Sequence, residues 1–188
     1  MTLHFLQLII VLLALVFSHG YHFKKSKLKF QLGYLNVLIW FITYSVLVGG
    51  ILFKENFNNV FYFLGLLILL IGVAIRSKAK INLGSQYSEF ITTSNVKLVS
   101  NGIYGKLFHP LHLGIVIETF GLCLLQYNNT FVKNIPLLII FFVCYLNTVI
   151  RNKHEENSLK AMLGESYQNY QANLMQKPHN KLLSYFGL

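Results

Sequence analysis

Apolar residues gather in five long blocks along this chain, separated by short polar stretches. The blocks cover roughly Leu3–His19, Leu32–Phe53, Val60–Ile75, Leu111–Tyr127 and Phe131–Ile150. Each is close to the ~20 residues that cross a hydrocarbon core ~30 Å thick. In lipid a peptide group has no water to bond, so an unpaired one is costly and helix is the local solution. The pattern predicts an all-α integral membrane protein with about five transmembrane helices. The first block does not read as a secretory signal. No Lys or Arg precedes it, and His19, Gly20, Tyr21 and His22 follow where a small-residue cleavage site would stand. It is expected to persist as a helix of the mature chain. After the fifth block, Leu159, Met162, Leu163, Tyr167, Tyr170 and Leu174 recur at helical spacing. That spacing predicts a C-terminal amphipathic helix, lying on the cytoplasmic interface or folded over a site.

Charge gives these helices a direction. Of the sixteen Lys and Arg residues, only Lys54, in the second intervening segment, and Lys133, at the start of the fifth block, fall on one side. The other fourteen lie after the first block, between the third and fourth, and in the C-terminal tail. Cationic loops stay in the cytoplasm, so the chain is expected to be multi-pass, with its N-terminus outside and its C-terminus cytoplasmic. Two long polar segments, Arg76–Pro110 and Arg151–Leu188, then share the cytoplasmic face.

Composition narrows the classes further. Hydrophobic residues make up 54% of the 188 residues and charged ones 12%, with a mean hydropathy of +0.52. An ordinary soluble domain carries about 25% charged residues. Three Pro, 13 Gly and 2 Cys exclude collagen-like, disordered and disulfide-framework chains. The net charge of +10 reads as basic residues facing anionic headgroups, with no nucleic-acid motif beside it. Cys123 and Cys144 lie inside apolar blocks and read as small core residues. A single domain over 1–188 is expected, and no signal sets its oligomeric state.

The first polar segment ends in Gly102-Ile103-Tyr104-Gly105-Lys106-Leu107-Phe108-His109-Pro110-Leu111-His112-Leu113-Gly114. Pro110 suits the first turn of the fourth helix, which puts His109 near its N-cap. Free N–H groups there, at the positive dipole end, favour an anion. Gly102 and Gly105 either let the backbone approach a ligand or only make turns. His109 and His112 share a helical face, but no second His pair follows, so no metal is expected.

The second segment opens with Arg151-Asn152-Lys153-His154-Glu155-Glu156. Arg151 and Glu155 are spaced to form a surface pair on a continuing helix. Yet the chain has only six acidic residues, and two stand side by side here, which suggests binding. A further acid, Glu118, lies within the fourth block. It is either functional or a protonated, hydrogen-bonded structural group, and the second is the expectation. Gly114 and Gly121 share its face and would admit a neighbouring helix closely.

Taken in order, these elements resemble the integral-membrane isoprenylcysteine carboxyl methyltransferase family and its relatives, including phospholipid N-methyltransferases. The resemblance runs through Leu98-Val99-Ser100-Asn101-Gly102-Ile103-Tyr104 and His109-Pro110-Leu111-His112-Leu113-Gly114. It continues through Arg151, Glu155-Glu156 and Gly164-Glu165-Ser166-Tyr167-Gln168-Asn169-Tyr170. It covers about residues 72–175, leaving 1–59 as additional N-terminal helices. Phe108 replaces the basic residue usual before His-Pro, His112 replaces a Tyr, and Gly105 replaces an Arg.

The resemblance implies S-adenosylmethionine as methyl donor. By position, Val96, Lys97, Leu98, Val99 and Tyr104 would line the cofactor site. His109, Pro110, Leu111 and His112 would contact it from the helix start, and Glu155 would bind a polar end. Arg151 matches the position that faces the substrate carboxylate in carboxyl-methylating members. Glu156, Tyr167 and Tyr170 would close or support the site. The implied acceptor is lipophilic and the implied surroundings are membrane lipids. Methylation of a phospholipid amine or small thiol, or non-catalytic ligand binding, stands as the alternative.

Overall fold

The computed structural model describes residues 33–52, 60–87, 97–128 and 131–188. The expected first helix, the segment Lys54–Asn59 and the site residue Val96 lie outside the described residues. The described residues form helices and contain no strand. In chain order they are α1 (Gly33–Leu52), α2 (Val60–Leu83), α3 (Pro110–Leu125), α4 (Phe131–Leu163), α5 (Glu165–Met175) and α6 (Pro178–Tyr185). A 3-10 turn, Gly84–Gln86, follows α2.

Two helical stretches, Val60–Gln86 and Val132–Leu163, are long and apolar enough to cross a membrane. Leu38–Ile51 and Pro110–Leu125 are shorter apolar helices. Large side chains on these helices face outward, among them Phe41 at 69% exposure and Phe142 at 57%. A soluble protein would bury such residues, whereas lipid accepts them.

The ends of the second and fourth blocks fall within two residues of α1 and α3. The helices of the third and fifth blocks run past the apolar residues. The α2 helix runs on to Leu83, carrying Arg76, Lys78 and Lys80 inside it rather than in a loop. The α4 helix has 33 residues, about 50 Å at 1.5 Å per residue. Its last thirteen carry Arg151, Glu155 and Glu156 beyond the apolar block.

Arg76 shows why α2 continues. Its guanidinium is buried and lies 3.1 Å from Glu118 Oε2 of α3. Tyr44 of α1 donates a 2.8 Å hydrogen bond to the same oxygen. Glu118 is thus held by partners from two other helices. A buried acid and base that meet each other avoid much of the cost of isolated burial.

The α2–α3 contact is made by glycines. A Cβ on Gly72 would sit 2.6 Å from Glu118 N, and one on Gly121 2.6 Å from Leu69 N. Cβ atoms on Gly65 and Gly114 would lie 2.8 and 3.0 Å from the opposite backbone. Each helix therefore presents a pair of glycines seven residues apart, and the two backbones meet without intervening side chains. Tyr44, Leu47, Ile51, Tyr62, Leu69, Val73, Leu122 and Leu125 complete the core where α1, α2 and α3 join.

Candidate functional site

Four separate pieces of chain converge at one end of the helices. Pro110 occupies the first turn of α3, with His109 at its N-cap as the sequence predicts. The segment 97–109 leads into it. The far end of α4 supplies a stripe of side chains, and α5 folds back across both. Gly164, at φ +53°, separates α4 from α5. A side chain at that position would strain the reversal.

The amphipathic pattern is divided at Gly164 between the end of α4 and α5. Its apolar face packs on Phe108 with Tyr167 and Leu174, all three at or below 5% exposure. Leu98, Leu159, Leu163 and Tyr170 pack around that cluster. This face closes over the 97–109 segment. The Tyr170 hydroxyl also donates a 2.8 Å hydrogen bond to Tyr104 O.

The α6 helix fastens the arrangement. Asn180 Nδ2 donates to Lys106 O at 3.0 Å and to Leu174 O at 3.1 Å. Lys177 Nζ donates to Gly105 O. Gly102, at φ +57°, packs on Asn82, whose side-chain oxygen accepts Ile103 N–H at 3.0 Å. Neither Gly102 nor Gly105 lines the cavity. Both stand in the turns of this segment.

Between these pieces lies a cavity of about 110 Å³. Of the residues singled out from the sequence, Lys97, Leu98, Val99, Tyr104, His109, Leu111, His112, Arg151, Glu155, Tyr167 and Tyr170 all line it. Pro110 is buried in the first turn of α3 and is not among the residues lining the cavity. Glu156 also stands outside it, but its Oε1 lies 3.0 Å from His109 Nε2. His112 Nε2 faces Glu155 Oε2 at 3.8 Å. The start of α3 and the end of α4 are thus tied by the His109–Glu156 hydrogen bond, with His112 and Glu155 facing each other beyond hydrogen-bond reach.

Electrostatics sharpen the picture. Burial pushes the Tyr104 phenol well above its usual range, with Glu155 and Tyr170 adding to the effect. Burial likewise raises Tyr167, helped by the Glu156 and Glu155 carboxylates. Tyr170 is pushed up to about 12 by burial. All three stay neutral near pH 7 and keep their hydroxyl protons for donation. His112 Nε2 is buried with no hydrogen-bond partner among the described residues. A buried polar atom in that state favours a ligand that supplies the missing partner.

Further lining residues come from α4, of which the sequence names Leu159 and Met162 only as part of the amphipathic pattern. Ser158, Leu159 and Met162 line the cavity, and they follow Arg151 and Glu155 along one face of α4. That helical spacing was a usable signal. Gln86 accepts Lys97 N–H at 3.1 Å and sits at the rim. Trp40 of α1 lies 4.8 Å from the Arg151 guanidinium carbon, with that cation over its ring. Nothing in the local sequence connects Trp40 to a residue so distant along the chain. Among the described residues, no group of three or more His, Cys, Asp or Glu could hold a metal ion.

A family model described as phospholipid methyltransferase matches residues 60–166. The chain belongs to this family of methyltransferases. It is also 28% identical over 105 residues to a protein-S-isoprenylcysteine O-methyltransferase of Schizosaccharomyces pombe (strain 972 / ATCC 24843). That alignment covers 54% of this chain and 42% of the relative, so the chain spans about two fifths of that curated protein's length. No solved structure matches the chain. The family match holds α2, α3, α4 and the cavity segments between them, whereas α1 precedes it.

Proposed function

We propose that this protein is an S-adenosylmethionine-dependent methyltransferase acting at a membrane. Its acceptor in this reading is the carboxylate of a lipophilic, isoprenylcysteine-type molecule. One observation carries the proposal. The elements that resemble the family, scattered from 97 to 170, surround a single cavity with Arg151 and Glu155 on its wall.

The lining suits the cofactor. Leu98, Val99, Leu159 and Met162 offer apolar surface for an aromatic base, and Glu155 offers a carboxylate for a cationic or hydroxyl end. The unpartnered His112 nitrogen and the neutral Tyr104 phenol add polar contacts at the wall. When bound, S-adenosylmethionine supplies a methyl carbon on a sulfonium sulfur, which leaves as a neutral thioether as a nucleophile's electron pair forms the new bond.

The chain's own task is then positioning. Arg151 can take a carboxylate with two in-plane N–H donors, fixing where its oxygens point. A carboxylate needs no general base. Holding it in line at near-attack distance is worth several kcal/mol. A site poor in water strengthens the attraction between the reacting opposite charges. The lipophilic tail would enter between helices from the bilayer and the cofactor from the cytoplasm. In this reading the chain is multi-pass, with the cavity on the cytoplasmic side.

A second reading, transfer to a lipid amine, would need a base for the ammonium proton, a part open to Glu156, which stands 3.0 Å from His109 beside the cavity. Incubation of purified protein with labelled S-adenosylmethionine and prenylcysteine, phosphatidylethanolamine or simple thiols separates the readings. Label in the prenylcysteine ester is expected. Arg151→Ala should lower kcat/KM for the carboxylate by about 100-fold, the scale of a lost charged hydrogen-bond pair. Amine methylation unaffected by Arg151→Ala, with no ester formed, would establish the second reading instead.

A further inference from the structure

The family match begins at residue 60, yet one wall of the cavity leans on α1. Trp40 is 6% exposed. The Arg151 guanidinium carbon stands over its ring at 4.8 Å, and the His112 ring lies 6.1 Å away. Trp40 itself does not line the cavity; it sits behind two residues that do.

Packing alone does not account for an indole here. Its N–H is buried and has no hydrogen-bond partner among the described residues. An aliphatic side chain beside Ile115 and Cys144, its neighbours in the core, would fill the space without stranding a donor. The indole face offers what an aliphatic group lacks, which is attraction for a desolvated cation. A guanidinium drawn to a ring on one side keeps fewer orientations, so its donors are directed before the acceptor arrives.

We propose that Trp40 is a positioning residue for the acceptor. It holds the Arg151 guanidinium in its cavity-facing orientation, so that α1, outside the family match, completes the acceptor side of the site. The proposal rests on the carboxylate-binding role given to Arg151 above. It predicts an effect on the acceptor and not on the cofactor.

The test uses the full chain with S-adenosylmethionine and the lipophilic carboxylate N-acetyl-S-farnesylcysteine. Trp40→Leu is expected to raise KM for the acceptor about tenfold, the scale of a desolvated cation–π contact. KM for S-adenosylmethionine should stay within about twofold. Trp40→Phe, which keeps a ring face, should recover acceptor KM to within about threefold of wild type. An unchanged acceptor KM in Trp40→Leu, a parallel rise in both KM values, or equal behaviour of Leu and Phe overturns the proposal.

A second readout does not depend on turnover. Trp40 is the single tryptophan of the chain, so its emission reports on this contact. Titration with N-acetyl-S-farnesylcysteine should change that emission saturably in wild type and not in Arg151→Ala. A wild-type protein that responds in this way but transfers no methyl group would refute the methyltransferase reading and leave the Trp40–Arg151 coupling standing. Emission that ignores the titration overturns the coupling.

Discussion

Arg151 and Glu155 leave α4 one turn apart and meet different surroundings. Arg151 is 2% exposed and lies against Trp40, whereas Glu155 remains partly exposed at the cavity. Different work follows from different burial. Glu155→Gln keeps the shape and removes the charge. It should weaken S-adenosylmethionine binding about tenfold by calorimetry, as expected for one charged contact. Its Tm should stay within about 3 °C of wild type, since a partly exposed carboxylate adds little to stability.

The tyrosines predict a pH response. Tyr170 has its pKa raised from an ordinary 10 to about 12, so the folded state holds its proton after the unfolded state has lost it. Stability is therefore level below about pH 9 and falls as pH rises from about 10 toward 12. Tyr104 and Tyr167 shift in the same direction. Thermal melts at rising pH should show this drop, and Tyr170→Phe should make it shallower. That variant also loses the hydrogen bond to Tyr104 O, at a cost of about 1 kcal/mol near pH 7.

Much of the candidate site was legible before the fold. The rarity of acids made Glu155 and Glu156 conspicuous, and Pro110 placed His109 at a helix start. Trp40 was not legible, because an aromatic residue in an apolar run looks the same whether it faces lipid, core or a cation.

The pairing of α2 with α3 follows from what its surfaces lack. Glycines on both helices bring the backbones together, and the buried Arg76–Glu118 pair bridges them at 3.1 Å. Gly121→Val would press a branched side chain on Leu69 N and should destabilise the protein by about 1–3 kcal/mol. Glu118→Gln leaves Arg76 buried opposite a neutral group, which should cost about 3–5 kcal/mol. Its activity loss should track the fall in Tm and recover at low temperature. Lost activity with an unchanged melt would instead place Glu118 in the chemistry. The sequence reading ended the third helix before Arg76 because a cation normally marks the end of an apolar run. The partner that makes such a cation tolerable lies 42 residues further along the chain.

The charge asymmetry predicts which side of the membrane the cavity faces. Lys97 lies at its rim and is exposed. A Lys97→Cys variant, with Cys123 and Cys144 replaced by Ala, should react with a membrane-impermeant maleimide only after the cytoplasmic side is opened. Labelling from outside would reverse the orientation. Apolar periodicity, the placement of cations and a few spaced polar residues depend on local physics, and they were enough to point to a helical chain with apolar spans and to the two polar segments that hold the candidate site. Long-range geometry obeyed no such local rule. Which histidine meets which carboxylate, how α5 folds onto Phe108, and the arrival of Trp40 behind Arg151 depend on packing between residues far apart in the chain. Such contacts form only when every helix has found its neighbours, so only the folded molecule could decide them.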